Sequence, residues 1–242
     1  TKVETLGFFP FVVAGVILIM RRKYLWGAAI TALAMTAEIN ANHLQISYYL
    51  MLTLGVLAVV EFVSAIKSKQ LKNFFISAAI AACSIGLGFL SNTSMLWSTQ
   101  EYAKATIRGG TTLTVNTKTT SGLDEGYAFD WSYSKAETAT LLVPNAFGSS
   151  SDTKLGSGSN AAAVLKPFNI PEDQLNQILS QSPTYWGDPI FTSGPFYLGA
   201  VVIFLFVLGL LLVKTKYRWW LIGASVLSIF LAWGKNFMFF ND

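Results

Sequence analysis

Six apolar runs divide the chain, at Leu6–Met20, Tyr24–Ala37, Ile46–Ile66, Phe74–Leu90, Phe196–Val213 and Trp219–Trp233. They are bunched rather than periodic, which fits neither a half-buried strand nor the striped surface helix of a soluble domain. A helix that crosses the hydrocarbon core needs about 20 apolar residues, within a range of about 17–25. The third, fourth and fifth runs reach that length unaided. The first, second and sixth are shorter, and cross only where their polar ends lie against protein or a water-filled cavity. Between the fourth and fifth runs lies a polar segment, 91–195, rich in Ser, Thr and Gly and too long for a simple connector. Within it, Thr111–Val115 reads as a short strand and Gly148–Ser159 as a Gly/Ser stretch. Pro171-Glu172-Asp173-Gln174 ahead of Leu175, Ile178 and Leu179 reads as a helix start. The pattern predicts an all-α polytopic membrane protein with about six transmembrane helices. Residues 1–90 carry four of them, 91–195 form an outer insert of mixed α/β or irregular structure, and 196–242 carry two more.

Charge orients these spans. Arg21-Arg22-Lys23, then Lys67, Lys69 and Lys72, then Lys214, Lys216 and Arg218 hold nine of the 17 basic residues, and of the 13 acids only Glu61 lies near them. Short loops rich in Lys and Arg stay on the cytoplasmic side. The alternation therefore puts Thr1–Glu4, Glu38–Gln45, Ser91–Pro195 and Lys235 outside. Trp26, Trp219 and Trp220 flank basic loops, as interfacial aromatic anchors do.

Composition agrees: 52% of residues are hydrophobic, 14% aromatic and 12% charged, against about 25% charged in soluble domains. The net charge of +4 divides by side of the membrane, so it does not mark a nucleic-acid surface. The single cysteine, Cys83, excludes an intrachain disulfide. No cleavable signal peptide is visible. The start at Thr1 and the end at Asp242, just past an apolar run, read as the limits of an internal piece of a longer protein.

Three polar clusters stand out. Glu38-Ile39-Asn40-Ala41-Asn42-His43-Leu44-Gln45 sits between two spans with almost no loop, at the depth where an ionisable group is a functional candidate. His43 is the only histidine and the natural proton carrier near neutral pH. The alternative is that these side chains cap helix ends and bridge helices. The second cluster, Asn92, Trp97, Gln100, Glu101, Tyr102 and Arg108, suggests a helix along the outer surface. In the third, Tyr185-Trp186-Gly187-Asp188, aromatic faces beside a carboxylate form a sugar platform, with an interfacial belt as the equal alternative. There is no P-loop, GxGxxG, His/Cys metal spacing or GxSxG elbow. Asp124, Glu125 and Asp130 leave a divalent metal open, with no certain cofactor.

These segments carry a resemblance. The run from Glu38 to Tyr49, with Thr99-Gln100-Glu101-Tyr102, Thr120-Ser121-Gly122-Leu123, Tyr185-Trp186-Gly187-Asp188 and Trp233-Gly234-Lys235-Asn236-Phe237, resembles the YfhO-like bacterial membrane proteins, particularly Bacteroidota members. That family is similar to the GT-C glycosyltransferases. The resemblance implies transfer of a sugar from a polyprenyl-phosphate donor to a glycan or other cell-envelope acceptor. The reaction would run on the outer face of a bacterial inner membrane, with the large loop periplasmic and membrane lipid as a partner. The family's usual catalytic carboxylate lies upstream of this chain. Here Glu38 and His43 are the catalytic candidates. Asn40, Asn42, Gln45, Gln100, Glu101, Arg108, Tyr185, Trp186 and Asp188 are the substrate-binding ones, with Lys104 a second cation for phosphate. A lipid-linked saccharide flippase and a non-catalytic scaffold with an outer domain are the competing readings.

Overall fold

A computed structural model describes residues 2–106, 129–150, 153–182, 184–189 and 196–241. They divide into two compact units, one of residues 1–124 with 214–226 and one of 125–213 with 227–242.

The first unit holds α1 (Lys2–Met20), α2 (Tyr24–Asn40), α3 (Leu44–Lys67), α4 (Leu71–Ser91) and α5 (Thr93–Lys104). Its core is Val12 and Val16 of α1, Ala34, Met35 and Ile39 of α2, and Leu50, Leu54 and Leu57 of α3. Lipid tails are as apolar as leucine, so helix association in a bilayer relies on close packing of small residues. The α1–α2 pair follows that rule. Gly27 and Thr31 form a small-xxx-small step on α2. A Cβ added at Gly27 would lie 2.7 Å from the Ile19 nitrogen and 2.8 Å from the Gly15 carbonyl oxygen, so the two backbones nearly touch.

Three turns of three residues each join α1 to α4, each through a residue in the left-handed region: Arg22 (φ 64°), Asn42 (φ 56°) and Lys69 (φ 55°). Asparagine tolerates that conformation well; a long basic side chain pays on the order of 1 kcal/mol. Charge placement thus overrides local preference at both basic turns. Those turns share one end of the unit: the Arg22 guanidinium donates to Gln70 Oε1 at 2.5 Å. The third basic cluster reaches the same end, with Lys216 on Glu61 at 2.6 Å and Arg21 over the Tyr217 ring at 5.8 Å.

In the second unit, a 3₁₀ turn at Ala136–Leu141 precedes α6 (Asn160–Leu165), α7 (Glu172–Gln181) and α8 (Ala200–Leu212). Ala162, Leu175 and Leu179 pack α6 on α7. The expected helix start holds, with Pro171 as N-cap and Glu172 and Asp173 in the first turn. Helix α9 (Tyr217–Trp233) contributes its first half to the first unit and its second half here. It continues through a 3₁₀ turn at Gly234–Phe237 into α10 (Met238–Asn241).

Among the described residues, four helical segments are long and apolar enough to cross a membrane: Lys2–Met20, Leu44–Lys67, Leu71–Ser91 and Tyr217–Phe240. Six were expected. The second run forms a helix of 17 residues that ends in polar Glu38 and Asn40. The fifth keeps only 13 residues helical, about 20 Å at 1.5 Å per residue. Its first four residues lie outside the helix, where the Leu198 N–H meets the Leu141 carbonyl at 3.4 Å. Among the described residues there is no strand, only two isolated bridges, Ala146 to Gly148 and Gly148 to Tyr185. The strand expected at Thr111–Val115 lies outside the described residues.

Candidate functional site

The second unit builds a site around a carboxylate that the sequence reading passed over. Ser134 and Glu137 form a capping box at the start of the 3₁₀ turn. The Glu137 N–H donates to Ser134 Oγ at 3.2 Å, and the Ser134 N–H donates to Glu137 Oε2 at 3.2 Å. A Ser-x-x-Glu spacing is the signature of this reciprocal pair, and it stands in the sequence as Ser134-Lys135-Ala136-Glu137. Its other oxygen, Oε1, accepts the Tyr185 hydroxyl. Glu137 is 0% exposed.

Tyr185-Trp186-Gly187-Asp188 wraps over this anchor. The Trp186 N–H donates to the Phe147 carbonyl at 2.9 Å, and the Ser149 N–H to the Thr184 carbonyl at 3.0 Å, which holds the turn on a two-rung antiparallel step. Gly187 is needed at the crossing, because a Cβ there would collide with the Tyr185 ring and the Glu137 carboxylate. Beyond the glycine the chain turns outward. Asp188 is exposed, and its Oδ2 accepts from Asn236 Nδ2 at 3.2 Å, while the same amide donates to the Tyr133 carbonyl at 2.9 Å. Trp233 Nε1 donates to Thr138 Oγ1 at 2.8 Å, and the Lys135 ammonium lies 5.5 Å from the Phe237 ring centre. Two motifs about 50 residues apart, Tyr185–Asp188 and Trp233–Phe237, therefore meet on one support. The Trp186 indole lies against Gly148 at one edge and is otherwise open, 78% exposed.

Burial holds the Glu137 carboxyl above its ordinary value of 4.5, and the nearby Asp188 charge adds to this; hydrogen bonds from the Ser134 and Asp188 backbones oppose it. A carboxyl raised in the folded state contributes stability that is complete below the unfolded value and lost as pH rises through the folded one. The thermal stability of the full chain in detergent is expected to fall as pH rises from 4.5. Glu137→Gln, which keeps a capping-box side chain, should flatten that slope; an unchanged slope would assign it to another group.

In the first unit the predicted residues are dispersed by role. Glu38 is 0% exposed, and neither carboxylate oxygen meets hydrogen-bond geometry with a described residue. Ser47 approaches it, but donates to the His43 carbonyl at 3.3 Å instead. His43, half-buried, supplies that carbonyl at the start of α3. Asn42 is the left-handed turn residue. Asn40 donates to Asn92 Oδ1 at 3.3 Å, and Asn92 donates to the Thr36 and Gly88 carbonyls at 3.0 and 2.9 Å, so two of the polar clusters are one helix-end bridge. Gln45 reaches Tyr49 Oη at 3.5 Å. An open groove of about 360 Å³ lies beside this turn, lined by Glu4, Phe8, Ala37, Asn40 and Ala41. On α5, Glu101 accepts the Trp97 indole N–H at 2.9 Å, and Gln100 is exposed.

Arg108, Asp124, Glu125 and the Lys104 side chain lie outside the described residues. Among the described residues, no group of three or more His, Cys, Asp or Glu side chains is placed to hold a metal ion. No protein-family model, characterised protein or solved structure matches the chain.

Proposed function

We infer that the chain is part of a membrane-embedded glycosyltransferase that moves a sugar from a polyprenyl-phosphate donor to an acceptor hydroxyl on the outer face of a bacterial inner membrane. One observation carries the reading: an exposed indole, Trp186, and an exposed carboxylate, Asp188, flank Gly187 in one turn that Tyr185 ties to the buried Glu137. An aromatic face and a hydrogen-bond acceptor carried on one anchored turn are what a sugar needs from a protein surface.

In this reading Asp188 accepts the acceptor hydroxyl and takes its proton as the oxygen bonds to the anomeric carbon. The bond from that carbon to the donor phosphate oxygen breaks, and polyprenyl phosphate leaves with the electron pair. Trp186 stacks on the sugar. Glu38 and His43 act at the membrane-embedded end, where a fully buried carboxylate is a cost that function retains. Six spans, with the fifth completed by residues 196–199 and the large loop periplasmic, belong to the same proposal.

The test is transfer by the full-length protein in membrane vesicles supplied with a labelled polyprenyl-phosphate sugar. Glu38→Gln and His43→Ala proteins are expected to insert normally, with Glu38→Gln at least as heat-stable as the parent, and to lose turnover by roughly tenfold or more. Full turnover in both leaves them as helix-end hydrogen-bonding groups. Topology is checked separately on a Cys83→Ser background: Gln70→Cys should resist an impermeant thiol reagent applied from outside, and Gly156→Cys should react. The reverse pattern overturns the orientation.

A further inference from the structure

The basic end of the first unit holds a groove of about 660 Å³ between α3 and the start of α9, a volume within the range of about 300–1,000 Å³ usual for ligand sites. We propose that this groove binds one anionic phospholipid of the cytoplasmic leaflet, the headgroup phosphate at the Lys67, Lys214 and Arg218 rim and an acyl chain along Val59 and Val63. The inference goes beyond sugar transfer and does not depend on it.

Charge comes first. Lys67, Lys214, Lys216 and Arg218 all line the groove, and none of its lining residues is acidic. Glu61 lies just beyond it and is committed to Lys216 at 2.6 Å. That pair neutralises one cation and leaves three others among the lining residues. Each Lys or Arg near an anionic leaflet adds to the attraction, and here three line one concavity.

The walls supply the second half of the recognition. Val59 and Val63 are exposed on α3, a helix long and apolar enough to cross a membrane, so one side of the groove is apolar. Trp219 lines the same groove at 58% exposure, with the Arg218 guanidinium 5.0 Å from its ring centre. An indole beside a guanidinium is the arrangement of the headgroup level, where an aromatic ring sits with one wet edge. The Ser68 hydroxyl is already donated to the Ser64 carbonyl at 2.8 Å. The Ser64 and Thr215 hydroxyls also line the groove, but only the cations supply charge, which favours a net anionic headgroup over a zwitterionic one. A free phosphate would use the rim and leave the valine wall uncovered; a lipid uses both.

Native mass spectrometry of the full chain, released from detergent with equimolar phosphatidylglycerol and phosphatidylcholine, reads the site. The chain is expected to retain one phosphatidylglycerol in preference to phosphatidylcholine. The Lys67→Gln/Arg218→Gln protein should lose that preference by roughly tenfold or more, given about 1 kcal/mol per charge. Lys154→Gln/Lys166→Gln, which removes two exposed cations from the other unit, should keep it. Equal retention of the two lipids by the parent overturns the proposal, as does an equal loss in both double variants. A third arm adds inorganic phosphate at millimolar concentration: displacement of the lipid by phosphate alone would show an anion site without a lipid component and would also overturn it.

Discussion

Replacing Gly27 by leucine is expected to separate α1 from α2 and lower the stability of the full chain by about 3 kcal/mol, the upper part of the range for overpacking a well-filled contact. The reason is the identity of the atoms in the way. A Cβ at position 27 would meet the Ile19 nitrogen at 2.7 Å and the Gly15 oxygen at 2.8 Å, both main-chain atoms that cannot rotate aside. The helices must move apart instead. That movement opens the contact around Thr31, whose buried hydroxyl has no hydrogen-bond partner among the described residues, and loosens the core of Val12, Val16, Ala34 and Met35. Gly55→Leu is the matched control, because a Cβ there meets nothing within 4 Å; its effect should stay within about 0.5 kcal/mol. Thermal unfolding of the two proteins in the same detergent decides the matter. A Gly27→Leu protein as stable as Gly55→Leu would mean that the α1–α2 crossing is not as close as described.

Asp188→Asn is expected to abolish most sugar transfer by the full-length protein, lowering kcat by about 10²–10⁴, the usual contribution of a positioned general base. Stability should change little. The side chain is exposed, and the asparagine oxygen can still accept from Asn236 at the same place. Trp186→Ala separates binding from chemistry, since removing a stacking face should raise the acceptor KM more than it lowers kcat. Normal turnover by Asp188→Asn would remove this carboxylate from the reaction, and a Trp186→Ala protein with unchanged KM would return the indole to an interfacial role.

Much of the first unit was legible in the linear pattern. The run Ile46–Ile66 became α3 at Leu44–Lys67, and Phe74–Leu90 became α4 at Leu71–Ser91, because a helix in a bilayer satisfies its backbone within itself and its apolar length is a local property. The clustering of the basic turns followed from charge for the same reason. The Ser134–Glu137 box was also written in the chain, as a four-residue spacing that apolar runs overshadowed. The helix of the second run extends three residues further, through polar Glu38 and Asn40, and that of the fifth starts four residues later, at Ala200, where the preceding Leu198 donates to Leu141, 57 positions away.

Which polar side chains work together was decided only by the tertiary structure. Asn40 and Asn92 are 52 positions apart and share a hydrogen bond; Tyr185 meets Glu137 across 48. Nothing in a local period specifies such a pair. Composition and spacing state which groups a helix or turn carries, whereas the direction each group faces depends on the crossings that close glycine contacts permit. Glu38 shows the difference: its place at the end of a span was plain in the sequence, but its complete burial arises from the helices packed around it.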